Sequence, residues 1–136
     1  MLFFYHFPSF FNISSKLEPQ KQALFKDLEG TVAEIGSGTG ANFKYIGNKV
    51  EKLIAIEPNL EMFPFMRESA KDLPINVELV IEPGIAQNLT SIPDNSLDAV
   101  LLVHVLCTIS ARDEALIEIK RVLKRLFYSI RLRNNN

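Results

Sequence analysis

Apolar residues along this chain fall into two kinds of run, and the kinds alternate. Thr31 to Ile35, Leu53 to Ile56, Asn76 to Ile81 and Leu97 to Leu106 are short stretches rich in Val, Ile, Leu and Ala. They read as strands buried on both faces, as in a parallel sheet. Between them lie segments of helical spacing. Lys16 to Leu28 carries Leu17, Leu24, Phe25 and Leu28 near one side, with Gly30 just past its end. A helix is expected from Gly40 to Ile46. Asn59 is an N-cap for another reaching about Ala70, with Pro64 bending or delaying it. Arg112 to Leu126 places Leu116, Ile119, Val122 and Leu123 on one face. Pro83-Gly84 and Pro93 to Ser96 read as turns.

Strands alternating with helices predict an α/β fold, a parallel sheet with right-handed crossovers and helices on both faces. Such sheets bind ligands beyond the carboxyl ends of their strands. Gly36, Glu57, Gly84 and His104 all fall at or just after predicted strand ends, so they converge there.

Composition narrows the classes. A chain of 136 residues, 47% hydrophobic and 23% charged, suits one soluble domain with a real core. A net charge of −1 gives no basis for a nucleic-acid partner. A single cysteine excludes an internal disulfide framework, and one Cys with two His makes no typical structural zinc site, so no metal is expected. Met1 to Phe11 is aromatic-rich, lacks Lys and Arg, is broken by Pro8 and is too short to span a bilayer. It lacks the features of a signal peptide and reads as a segment packed on the domain. The alternative is an interfacial anchor, without a basic face to assist it. The expected location is cytoplasmic.

The chemistry concentrates in Val32 to Gly40, where an apolar run ends in Gly36-Ser37-Gly38-Thr39-Gly40, and in Leu53 to Asn59, where a second run ends in Glu57. Glycines let backbone N–H groups approach a ligand, and an acid can accept hydrogen bonds from two ribose hydroxyls. Together they suit a nucleoside with a charged tail. Gly36, Gly38 and Ala41 also satisfy the dinucleotide fingerprint, with Glu57 at the right distance, so spacing does not choose between NAD and S-adenosylmethionine. Glu34 breaks the tie. An acid at the end of a buried strand needs a partner, and the methionine part of S-adenosylmethionine offers an ammonium where NAD has none.

Other positions carry two readings each. Asn59 and Met62 border an adenine, or Met62 is core filler. Gly84 to Leu89 is a surface on which a flat base lies, or a plain loop. His104 packs or lines the ligand, and Cys107 is buried and inert. Neither has a base or acid partner in view, so no catalytic residue is assigned. Acids lead and bases trail along Arg112 to Arg125, which suits the helix dipole and reads as a solvated face.

These residues resemble class I S-adenosylmethionine-dependent methyltransferases. Glu34 to Gly40 resembles the first motif of that family, and Ile56-Glu57-Pro58-Asn59 the acidic end of its second strand. Ala86 to Leu89 and Pro93 to Asp98 resemble the adenine-side loop and the lead into the fourth strand. Ile119 to Lys124 resembles the helix before the fifth strand. Gly38 to Lys44, with Val105-Leu106-Cys107, is similar to the methyltransferase-like 7 group, whose members methylate small thiols at the endoplasmic reticulum.

The resemblance implies a Rossmann-like methyltransferase fold with sheet order 3-2-1-4. It also implies S-adenosyl-L-methionine as cofactor, and methyl transfer to a small acceptor, a thiol first. Glu34 would hold the ligand's amino group, directly or through water. Gly36, Ser37, Gly38 and Gly40 would admit its methionine portion, and Glu57 the ribose. Pro58, Asn59, Met62, Ala86 and Gln87 would flank the adenine side, with His104 lining the ligand. The cytosolic face of the endoplasmic reticulum is the alternative location.

The chain also departs from the family. Ile85 and Gln87 stand where acids are usual, although Gln87 still hydrogen-bonds an amine. After Lys124 the expected glycine turn, fifth strand and closing antiparallel pair are missing or replaced. Residues 1–136 therefore read as a single partial domain, with an aromatic segment over 1–15 and an atypical tail over 126–136. Alternation of Leu126, Tyr128, Ile130 and Leu132 suggests a makeshift strand. Otherwise the fourth strand is a bare edge prone to self-association. An inactive cofactor-binding or interaction fragment and an NAD-dependent oxidoreductase are the alternative functions.

Overall fold

The computed structural model describes residues 2–5, 14–103, 109–124 and 128–129. In chain order the elements are β1 (Leu2–Tyr5), α1 (Ser14–Phe25), β2 (Gly30–Ile35), β3 (Val50–Ile56), α2 (Phe63–Ser69), β4 (Glu78–Glu82), β5 (Ala99–Val103), α3 (Arg112–Val122) and β6 (Tyr128–Ser129). The strands form one sheet of order β4-β3-β2-β5-β1-β6, paired in parallel throughout. Its first four strands are the four predicted from sequence, in the expected order 3-2-1-4.

Strand alternation divides the core. Ala33, Ile35, Ile54, Ile56, Val100 and Leu102 point to one face, where Leu89, Ile92, Ile119 and Val122 cover them. Val32, Leu53, Ala55, Ala99, Leu101 and Val103 point to the other, against Leu24, Phe25, Phe43 and Met66. The period of two sends neighbouring residues to opposite faces, and because both are covered the buried stretches of β2, β3 and β5 are apolar apart from Glu34.

The helices depart from expectation in instructive ways. After the glycine turn there is one 3-10 turn, Phe43–Tyr45, in place of a helix over residues 40–46. Gly47 interrupts the segment, and the chain returns to β3 by Val50. Asn59 accepts the Glu61 N–H at 3.1 Å, as a cap should, and α2 begins with Pro64 in its first turn, the delay expected of proline. On α3 the buried positions are Ala115, Ile119 and Val122. Leu116 is 43% exposed, so it does not belong to the apolar face assigned to it from sequence.

The fourth predicted strand is not a bare edge. Leu2 to Tyr5 lies in parallel register along Val100 to Val103, and Tyr128-Ser129 pairs with Leu2-Phe3 in turn. The amino-terminal segment, expected only to pack on the domain, is therefore a strand of the sheet. It removes the edge on which self-association was argued. Residues 6–13 lie outside the described residues, as do Leu126, Ile130 and Leu132 of the alternating tail. Among the described residues no helix is long and apolar enough to cross a membrane.

Candidate functional site

At the carboxyl ends of β2, β3, β4 and β5 the sheet opens into a cavity of about 450 Å³. Pockets of roughly 300–1,000 Å³ suit small molecules. This one sits where strand order reverses between β2 and β5, the position that doubly wound sheets reserve for ligands. Its walls are Ile35 and Gly36 after β2, Glu57 and Pro58 after β3, Gly84 to Gln87 after β4, and Ile109 and Ser110 before α3.

Five residues expected from sequence meet there: Gly36, Glu57, Pro58, Ala86 and Gln87. Glu57 is 9% exposed, and its two carboxylate oxygens each accept one backbone N–H. Oε2 takes Gly38 N–H and Oε1 takes Asn59 N–H, both at 2.9 Å. The acid that ends β3 thereby ties the glycine turn to the start of the next segment.

The glycine turn does its work differently from the sequence reading. Gly36, Gly38 and Gly40 all take positive φ, a conformation that L side chains resist. Their N–H groups, however, are bonded within the chain. Gly36 and Ser37 both donate to the Ile56 carbonyl, Gly38 to Glu57, and Gly40 to the Ser37 carbonyl. These amides are committed to the turn, which corrects the expectation that they face a ligand. Space differs between the glycines. A Cβ on Gly40 would stand 2.9 Å from Phe43 Cε2 and 3.0 Å from Ser69 Cβ, whereas one on Gly38 would meet nothing within 4 Å. Gly40 is required by packing, and Gly38 leaves open room.

Glu34 is buried at 1% exposure, and its burial is answered inside the chain. Asn42 Nδ2 donates to Oε1 at 2.7 Å and Ser37 Oγ to Oε2 at 3.1 Å, while Lys21 Nζ reaches Asn42 Oδ1 at 3.3 Å. Desolvation pushes the carboxyl above its ordinary value, against the opposing pull of Asn42, Ser37 and Lys21. Glu34 therefore has hydrogen-bond partners without any ligand, although burial still disfavours its charge. Ser37 is likewise buried in this network.

Asn59 and Met62 stand apart from the cavity wall. Asn59 caps the segment after β3, and Met62 packs against the core that holds Phe43 and Met66, which is the filler reading of that methionine. His104 and Cys107 lie outside the described residues. Ile109 and Ser110 are wall residues that the sequence reading missed. Their only signal was position, between the last predicted strand and the helix that starts at Arg112.

The charges on α3, expected from sequence to form a solvated face, are not all solvated. Glu118 Oε2 accepts the Leu89 N–H at 2.8 Å, and Arg121 Nη2 donates to the Leu89 carbonyl at 2.9 Å. Arg121 also bonds the Ile92 carbonyl and Asp94, and grips Glu118 through Nε and Nη2. These contacts hold the Glu118 carboxyl down to about 2, chiefly through Arg121 and then through Leu89 N–H.

A family model described as a methyltransferase domain matches residues 33–126. The chain is 34% identical over 118 residues to the rat protein thiol S-methyltransferase TMT1B, covering 80% of this chain and 48% of that protein. It thus spans about half the length of the curated relatives it matches. Among solved structures it is similar to the YcgJ protein of Bacillus subtilis, with a TM-score of 0.66 and 26% identity over 82% of this chain and 47% of that one. A SAM dependent methyltransferase from Aquifex aeolicus aligns with a TM-score of 0.62 and 29% identity, over 82% of this chain and 62% of the other.

Proposed function

This chain belongs to the methyltransferase domain family, and from that premise we propose that its cavity binds S-adenosylmethionine for methyl transfer to a small acceptor, a thiol by preference. The observation that carries the reading is Glu57, an acid at the mouth of the strand-end cavity with both oxygens incompletely used. Each oxygen has two lone pairs and accepts one backbone N–H, so each keeps one for a hydroxyl of a vicinal diol. Family membership sets aside the nicotinamide alternative, a choice that glycine spacing left open.

The residues fit that cofactor. Glu57 holds the ribose, with Pro58 beside it. Ala86 and Gln87 face the adenine, and Gln87 supplies an amide able to bond its exocyclic amine. Gly36 and the open side of Gly38 admit the methionine portion. Glu34 acts one step back, holding Ser37 and Asn42 so that the turn keeps its shape. When bound, S-adenosylmethionine supplies a methyl group already activated on a sulfonium. The protein's share is then to orient donor and acceptor and to exclude water. Support for a thiol acceptor comes from the rat relative, whose name states that activity. A thiol attacks as its thiolate. Among the described wall residues Glu57 is the one carboxylate, and it is engaged by backbone amides.

Calorimetry and thermal shift with S-adenosylhomocysteine and with NAD test this directly. S-adenosylhomocysteine is expected to bind and raise the melting temperature, and NAD is not. Stabilisation by NAD alone overturns the cofactor. Transfer of a labelled methyl group to a small thiol, compared with an alcohol and an amine of similar size, tests the acceptor.

A further inference from the structure

We propose that Glu118 and Arg121 of α3 are positioning residues for the nucleobase: by gripping the backbone of Leu89 they set where Ala86 and Gln87 stand in the cavity wall. The proposal rests on the assignment of that wall to adenine.

Neither residue lines the cavity, yet together they hold both polar groups of one peptide-chain position. The Leu89 N–H goes to Glu118 and the Leu89 carbonyl to Arg121. The guanidinium meets the carboxylate through Nε and Nη2 at 2.8 and 2.9 Å, a forked geometry that fixes both side chains. At 18% and 28% side-chain exposure the pair is largely shielded, unlike an ordinary surface ion pair. Nη1 extends the grip to the Ile92 carbonyl at 3.0 Å.

The gripped point is close to the wall. Asn88 N–H bonds the Ile85 carbonyl at 3.1 Å, closing a turn whose two middle residues are Ala86 and Gln87. Upstream, Gly84 passes so near β3 that a Cβ there would stand 3.0 Å from Ile56 Cγ2. Downstream, Leu89 is 2% exposed and held by α3. The turn is thus bracketed by two fixed points. Release of Leu89 frees the side that carries Gln87.

The test compares S-adenosylhomocysteine with S-ribosylhomocysteine, the same molecule without its base, by calorimetry and competition. In Glu118→Ala and Arg121→Ala the affinity for S-adenosylhomocysteine is expected to fall about fivefold or more, the range of ordinary site-to-site coupling. Affinity for the base-free analogue is expected to change by less than about twofold, as coupling confined to the base requires. Amide exchange at Leu89 should accelerate in the same variants. Should the alanine variants not fold, Arg121→Lys, which loses the fork, is expected to show the same base-selective loss, and Glu118→Gln, which keeps an acceptor for Leu89 N–H, is expected to retain more of the affinity than Arg121→Lys. Equal weakening of both ligands, or unchanged binding with only a lower melting temperature, overturns the proposal and leaves a structural role. Failure of the unsubstituted chain to bind S-adenosylhomocysteine overturns the cofactor reading itself, and this proposal with it.

Discussion

The Glu57 carboxylate accepts the Gly38 N–H at 2.9 Å, so the acid ending one strand is a structural member of the glycine turn that ends its neighbour. One residue therefore serves two ends, shaping the turn and presenting oxygens to the cavity. Glu57→Ala should weaken S-adenosylhomocysteine binding by about 1–3 kcal/mol, as for lost hydrogen bonds to a charged group. It should also lower stability in urea, because Gly38 and Asn59 N–H lose their acceptor. Calorimetry that finds affinity unchanged would show that the ribose lies elsewhere.

The two glycines of that turn should respond differently to a methyl group. Gly38→Ala meets only the left-handed backbone penalty, about 1–2 kcal/mol, since no atom stands near its Cβ. It should also lower cofactor affinity, because the methyl occupies room proposed for the ligand. Gly40→Ala carries the same penalty plus overpacking against Phe43 and Ser69, about 1–3 kcal/mol more. Equal urea midpoints for the two variants would contradict this account of the turn.

Glu34 and Glu118 should give stability opposite dependences on pH. Burial raises the folded pKa of Glu34 above 4.5, so the native chain holds that proton more tightly than the unfolded chain. Stability then falls as pH rises from 4.5 through the raised value. Glu34→Gln, which can keep partners in Asn42 and Ser37, should be more stable than the unsubstituted chain at neutral pH, and the gain should vanish in acid. Glu118 is depressed from 4.5 to about 2, so its contribution is complete above 4.5 and is lost as pH falls toward 2. Glu118→Gln should flatten that acid limb. Urea midpoints from pH 3 to 8 read both effects on the scale of about 1.4 kcal/mol per unit of pKa shift. A neutral-pH midpoint for Glu34→Gln below that of the unsubstituted chain would refute the sign assigned to the buried acid.

Removing residues 1–5 should increase association of the chain. Leu2 to Tyr5 pairs along Val100 to Val103, and without it β5 presents unpaired N–H and carbonyl groups beside buried apolar side chains. Light scattering should report dimers or larger species for the shortened chain. A well-behaved monomer of unchanged stability would mean that this strand contributes nothing.

Sequence patterning determined the α/β class and put Gly36, Glu57 and Gly84 at strand ends, where the cavity lies, while the family resemblance supplied the order of the four central strands. The reason is that apolar run length, turn residues and right-handed crossovers are local or topological properties. Tertiary structure decided what depends on which atoms meet. Asn42 and Ser37 reach Glu34 across the turn and supply its hydrogen-bond partners, which no spacing rule registers. Glu118 and Arg121, read as solvated, meet Leu89 from 29 and 32 residues away in the chain. Leu2 to Tyr5 finds β5 almost a hundred positions later. Long-range pairing is set by packing and hydrogen-bond satisfaction in three dimensions, and a one-dimensional pattern carries periodicity but not partners.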